Sequence, residues 1–242
     1  MRVYQAEMRL IQISSLLTIL VIGVVFVLNA YGHQPTTTDP DPYNTTSIVQ
    51  EDTSPYIICL GDSYTYGYPE RNLESDPSWP HHLGEILNVK VANEGKQKQT
   101  SKDLLERFDS DIIEKNTTNP AIIIIFAGMG DALSEEPVSV VTFERYINNL
   151  VEKAQDHGIK PVLIMPFSYP EADKQQYISE YRAWLSEFSE ANTIMLVDFQ
   201  GFLCDEDNGI KKQYTSTAGK YPNAEGYLEM GRYIADQLKD EI

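Results

Sequence analysis

Residues 121–127 read Ala121-Ile122-Ile123-Ile124-Ile125-Phe126-Ala127, and the run ends at Gly128. Isoleucine is branched at Cβ and restricted at χ1, which favours extended backbone over helix. The run is apolar at every position rather than at alternate ones. A strand of this kind must be covered on both faces, which places it inside a parallel sheet. Parallel neighbours cannot be joined by a tight turn, so helical crossovers are required on either side.

Working outward, Tyr56 to Leu60 is a shorter apolar run stopped by Gly61, and Val89 to Ala92 is a weaker one. Val162 to Met165 and Ile194 to Val197 complete five predicted strands. Helical spacing fills the gaps. Ser78 can cap a helix carrying Trp79, Leu83, Ile86 and Leu87, and Thr100 or Ser101 can cap another with Leu104, Leu105 and Phe108. Thr142 to Asp156 repeats Phe143, Tyr146, Ile147, Leu150, Val151 and Ala154, and Gly158 follows as a stop. Glu171 to Ser189 carries Tyr177, Ile178, Tyr181, Trp184, Leu185 and Phe188, and a last helix begins near Pro222. The expected architecture is α/β, three layers with a mainly parallel five-stranded sheet between helices. Sites in such sheets form beyond the carboxyl ends of the strands, here after Leu60, Ala92, Ala127, Met165 and Val197.

The chain has 242 residues, 42% of them hydrophobic, and a formal charge of −17. That charge excludes a basic face for nucleic acid. Leu10 to Ala30 is almost wholly apolar, with Arg2 and Arg9 before it and no cationic cluster after it. Its length suits a transmembrane helix with the N-terminus in the cytoplasm. A signal peptide followed by secretion is the alternative, although Leu28-Asn29-Ala30 is a poor cleavage site. Residues 32–54, rich in Thr, Pro, Asp and Ser, read as a stalk. The expected organisation is therefore an anchor (or signal sequence) over 1–31, a disordered stalk over 32–54 and the α/β domain over 55–242, held outside the cytoplasm. Cys59 falls in a buried strand, and its pairing with Cys204 is left open.

After the first strand the chain reads Gly61-Asp62-Ser63-Tyr64-Thr65-Tyr66-Gly67. The glycine permits a sharp turn and the serine hydroxyl is presented at the sheet edge. Three more segments sit at strand or helix ends in the same order. They are Val91-Ala92-Asn93-Glu94-Gly95, Phe126-Ala127-Gly128-Met129-Gly130-Asp131 and Tyr221-Pro222-Asn223-Ala224-Glu225-Gly226-Tyr227. With these blocks the domain resembles the SGNH, or GDSL-type, hydrolases, which implies a flavodoxin-like fold and a serine esterase mechanism. The resemblance implies that Ser63 attacks an ester carbonyl, that a histidine takes its proton, and that an aspartate three residues earlier orients the histidine. It also implies an oxyanion hole made by the serine N–H, a second-block glycine N–H and a third-block Asn amide.

Carried over residue by residue, Ser63 is at the nucleophile position. Tyr221 stands where the histidine belongs and Ala218 where the aspartate belongs. Lys98 aligns with the second-block glycine, with Gly95 as the alternative. Gly130 stands at the Asn position and has no side-chain donor. Tyrosine has a reference pKa of about 10 and is a poor proton acceptor at neutral pH. Loss of the histidine from a serine triad can cost on the order of 10⁶ in kcat. His81, His82 and Asp131 are candidate replacement bases, while His33 and His157 lie away from the final block. Asp205-Glu206-Asp207-Asn208-Gly209 is read as an acidic turn rather than a calcium loop. Tyr64, Tyr66, Tyr68, Tyr169, Tyr214 and Tyr221 are read as packing residues ahead of a sugar platform. No cofactor or metal is expected. A small-molecule or carbohydrate ester ligand is expected for an active esterase. A catalytically inactive, membrane-anchored binding or scaffolding module is the competing expectation.

Overall fold

A computed structural model of the chain describes residues 56–72, 75–115, 120–217 and 219–241. The apolar run from Leu10 to Ala30, the stalk and Ala218 lie outside the described residues. No helix among the described residues is long and apolar enough to cross a membrane.

The strands are β1 (Tyr56–Gly61), β2 (Lys90–Gly95), β3 (Ile122–Phe126), β4 (Lys160–Ile164) and β5 (Met195–Val197). They form one parallel sheet in the order β2-β1-β3-β4-β5. The isoleucine run lies beside β1 in the interior, and all of its strand residues are buried. Register aligns Gly61 with Gly95 on one side and Phe126 on the other, so β1, β2 and β3 end together. β2 reaches Gly95 rather than Ala92, because pairing with β1 carries this edge strand through Asn93 and Glu94 without needing apolar residues there.

The helices are α1 (Ser63–Tyr66), α2 (Trp79–Leu87), α3 (Ser101–Glu106), α4 (Met129–Leu133), α5 (Val140–Asp156), α6 (Ala172–Asn192), α7 (Gln200–Leu203) and α8 (Ala224–Leu238). A π-helical turn covers Asp109–Glu114. α2 packs on α8, and α5 packs on α6, where the Phe143 and Tyr181 rings stack at 4.2 Å. α1, α4, α7 and the π turn each span six residues or fewer, too few for a hydrophobic period to show in sequence. Cys59 and Cys204 are both buried and free. The acidic turn closes on itself, since Asp205 Oδ1 accepts the N–H groups of Asp207 and Gly209 at 3.1 and 3.0 Å.

Candidate active site

Ser63 is the first residue of α1, directly past the end of β1. Asp62 caps that helix. Its Oδ1 accepts the Tyr64 N–H at 2.9 Å, and its Oδ2 reaches the third block and accepts the Gly130 N–H at 2.8 Å. Burial raises the Asp62 pKa to about 7, against the pull of those amides. The Ser63 Oγ accepts the backbone N–H of Lys98 at 2.9 Å. Lys98 has a φ of 62°, the left-handed backbone that glycine adopts without strain. Gly95 is placed differently. Its N–H donates to Asn93 Oδ1, and a Cβ there would stand 2.2 Å from the Tyr66 nitrogen, so it serves the close approach of α1 to β2.

Gly130 is equally constrained. A Cβ at this position would lie 1.9 Å from the Gln99 carbonyl oxygen, so that carbonyl fills the space a side chain would need. The next residue, Asp131, is buried and fully engaged. It accepts the Ser101 N–H at 3.0 Å, the Ser101 hydroxyl at 2.5 Å and the Gly128 N–H at 3.1 Å. Desolvation raises its pKa, opposed by those same donors. The carboxylate thus ties the start of α3 to the turn after β3.

Tyr221 approaches Ser63 from the loop that precedes α8. Its ring lies 4.9 Å from Tyr64 and 4.8 Å from Tyr68, and Tyr64 stacks edge-on with Phe167 at 5.2 Å. The Tyr64 hydroxyl donates to the Lys220 carbonyl at 3.1 Å, and the Tyr227 hydroxyl to the Tyr68 carbonyl at 2.6 Å. Burial, with the nearby Asp62 carboxylate, pushes the Tyr221 pKa above its ordinary value, although the Ser63 hydroxyl pulls it down. The other loop tyrosines are mostly packed. Tyr66 lies under Arg71 at 5.0 Å and Tyr214 faces Phe202 at 6.3 Å, while Tyr169 has Lys220 above its ring at 5.8 Å.

The described histidines stand elsewhere. His81 and His82 share Glu85 at 3.4 and 3.5 Å on α2, and His157 caps the end of α5. Ser63, Lys98, Gly130 and Tyr221 line one cleft of about 440 Å³, together with Asp62, Tyr64 and the stretch 133–135. Of the histidines among the described residues, His81, His82 and His157, none lines it.

Arg107 and Asp62 escape a reading of the sequence for catalytic groups, yet they hold this frame. The Arg107 guanidinium donates to the carbonyls of Gly61 and Glu94 at 3.1 and 2.7 Å, to Gln99 Oε1 at 2.6 Å and to Asp111 at 2.9 Å. It therefore joins the ends of β1 and β2 to the loop bearing Lys98. One signal was present: an arginine amid Leu104, Leu105 and Phe108 occupies a helix face that buries its neighbours, and buried arginine needs partners.

The GDSL-like lipase/acylhydrolase family model matches residues 59–228. A G-D-S-L family protein of Desulfitobacterium hafniense DCB-2 superposes with a TM-score of 0.67 and is 38% identical, covering 75% of this chain and 98% of its own. A GDSL-like lipase of Bacteroides thetaiotaomicron VPI-5482 superposes at 0.63 with 23% identity, covering 77% of this chain and 89% of its own, and so shares the fold. The uncharacterized lipoprotein YqeF of Bacillus subtilis (strain 168) is 30% identical over 138 residues. That match takes in 52% of this chain and spans 56% of the relative's length.

Proposed function

The chain belongs to the GDSL-like lipase/acylhydrolase family, and from that premise we propose that it is a membrane-anchored, extracytoplasmic member whose cleft binds a ligand without efficient ester hydrolysis. One observation carries this reading: no histidine among the described residues lines the cleft, and the groups the sequence offers in its place are engaged or protonated. Asp62 is held by two amides, Asp131 by a hydroxyl and two amides, and Tyr221 keeps its phenolic proton. A phenol with a pKa above about 10 is ionised in fewer than roughly one molecule in a thousand at pH 7. A serine hydroxyl without a base is a weak nucleophile. The oxyanion hole is short of a donor as well, since Gly130 offers none from a side chain and the Lys98 N–H is spent on the Ser63 oxygen. An absent oxyanion donor costs about 10²–10³ in kcat.

Support for the location comes from the apolar run Leu10 to Ala30, preceded by Arg2 and Arg9, and from the lipoprotein relative. The test is turnover of p-nitrophenyl acetate and p-nitrophenyl butyrate by the full-length protein. Wild type and Ser63→Ala should hydrolyse both at the same background rate. Turnover that disappears in Ser63→Ala would overturn the reading and restore an esterase acting on an ester or an O-acylated carbohydrate.

A further inference from the structure

Lys98 combines a strained backbone with an unused charge. A lysine at a φ of 62° is in a conformation that L side chains adopt rarely, and glycine would occupy it freely. Residues held this way cluster where a side chain has work to do. The Lys98 N–H donates to the Ser63 hydroxyl at 2.9 Å, which fixes the lysine backbone beside the serine. Its side chain is exposed and lines the same cleft. Among the described residues its ammonium has no ion-pair or hydrogen-bond partner, whereas Lys96, just before it, is tied to Asp111 at 2.6 Å. Acidic groups outnumber basic ones 36 to 19 in this chain, so a lysine left unpaired beside a cleft is a cation available to a ligand.

We propose that the cleft binds the carboxylate of a small organic acid, with the Lys98 ammonium as its counter-ion and the Ser63 hydroxyl as a second donor. This rests on the non-hydrolytic reading above. The volume of about 440 Å³ admits a short acyl or aryl acid, and Tyr64, Tyr221 and Leu133 in the lining offer its apolar part contact surface. A single negative charge matches the single ammonium. A phosphate dianion would carry a second charge toward Asp62 and Glu135, which line the same cleft.

The test is calorimetric titration of full-length protein with benzoate, with butyrate, with neutral benzamide and with inorganic phosphate. Charge-assisted hydrogen bonds are the strong ones. Benzoate should therefore bind at least tenfold more tightly than benzamide. Lys98→Met should remove that advantage, and Lys98→Arg should keep it. Lys98→Gly is the folding control. It suits the left-handed backbone, so its Tm should stay within a few degrees of wild type while benzoate affinity falls about tenfold or more. Equal affinity for benzoate and benzamide, or unchanged benzoate binding in Lys98→Gly, would overturn the proposal, and so would tighter binding of phosphate than of benzoate. The outcome is separable from the hydrolysis question. Ser63-dependent ester turnover would remove the non-hydrolytic reading, while Lys98-dependent benzoate binding measured beside it would stand on its own.

Discussion

The loops at the ends of β1 and β3 and the loop before α8 meet at one cleft but are built on different chemistry. The first pair is held by carboxylates and amides. Asp62 joins α1 to Gly130, Asp131 joins Gly128 to Ser101, and Arg107 joins Gly61 to Gln99. The loop before α8 is held by ring packing and short backbone bonds. Tyr221 leans on Tyr64 and Tyr68, and its carbonyl accepts the Ser216 N–H at 2.8 Å. The frame that presents the serine is held by hydrogen bonds, whereas in the proposed reading the position that would supply its base holds Tyr221, whose ring packs on Tyr64 and Tyr68. Retained acidic residues in such a site can therefore serve the scaffold alone.

The contrast breaks most visibly at Asp131. Asp131→Ala orphans three buried donors, those of Ser101 N–H, Ser101 hydroxyl and Gly128 N–H. At about 1–3 kcal/mol for each donor left unsatisfied, the expected loss is roughly 5 kcal/mol in denaturant unfolding. A loss below about 1 kcal/mol would remove the structural assignment of this carboxylate.

Asp62 gives the next largest effect, as a dependence on pH. Burial lifts its folded pKa to about 7 from the ordinary 3.8, so the folded state holds the proton more tightly than the unfolded state does. Its contribution to stability is fully present below the unfolded pKa and is lost as pH rises through about 7. Between pH 5 and pH 8 wild type should lose on the order of 3 kcal/mol from this group, using about 1.4 kcal/mol per unit. Asp62→Asn should flatten that part of the curve. Parallel curves for the two proteins would show that Asp62 titrates as an ordinary carboxylate.

Gly130→Asn sharpens the comparison by asking whether the third-block donor can be put back. Its Cβ would meet the Gln99 carbonyl at 1.9 Å, so the loop must give way. Overpacking of this kind costs about 1–3 kcal/mol, and no ester turnover should appear. Tyr221→His is the mildest. It gives up the two ring contacts with Tyr64 and Tyr68, worth about 0.5–1.5 kcal/mol each. Turnover should stay at background, because an imidazole there has no aspartate at position 218 to orient it. Ala218→Asp added to Tyr221→His is the sharper version. A gain of Ser63-dependent turnover in the double variant would show that only the base and its partner had been lost.

Much of the scaffold was legible in the sequence, because long apolar runs such as 121–127 and helices of three turns or more carry their burial in their spacing. The short helix at Ser63 was not, since its cap comes from Asp62 and four residues show no period. The candidate site was legible only as a set of positions. That Lys98 rather than Gly95 stands beside the serine depends on backbone sign and on the reach of one N–H group. The engagement of Asp131 depends on Ser101, 30 residues away in sequence. The tight contact of Gly130 with Gln99 depends on how two loops cross, which no local pattern encodes.

The central claim is that Ser63 has no base, and fluorophosphonate labelling of the folded full-length protein tests it most directly. Intact-mass analysis should find no adduct on wild type after exposures that saturate an ordinary serine esterase, and Ser63→Ala should look the same. An adduct on wild type that is absent from Ser63→Ala would contradict the claim, because phosphonylation requires an activated hydroxyl.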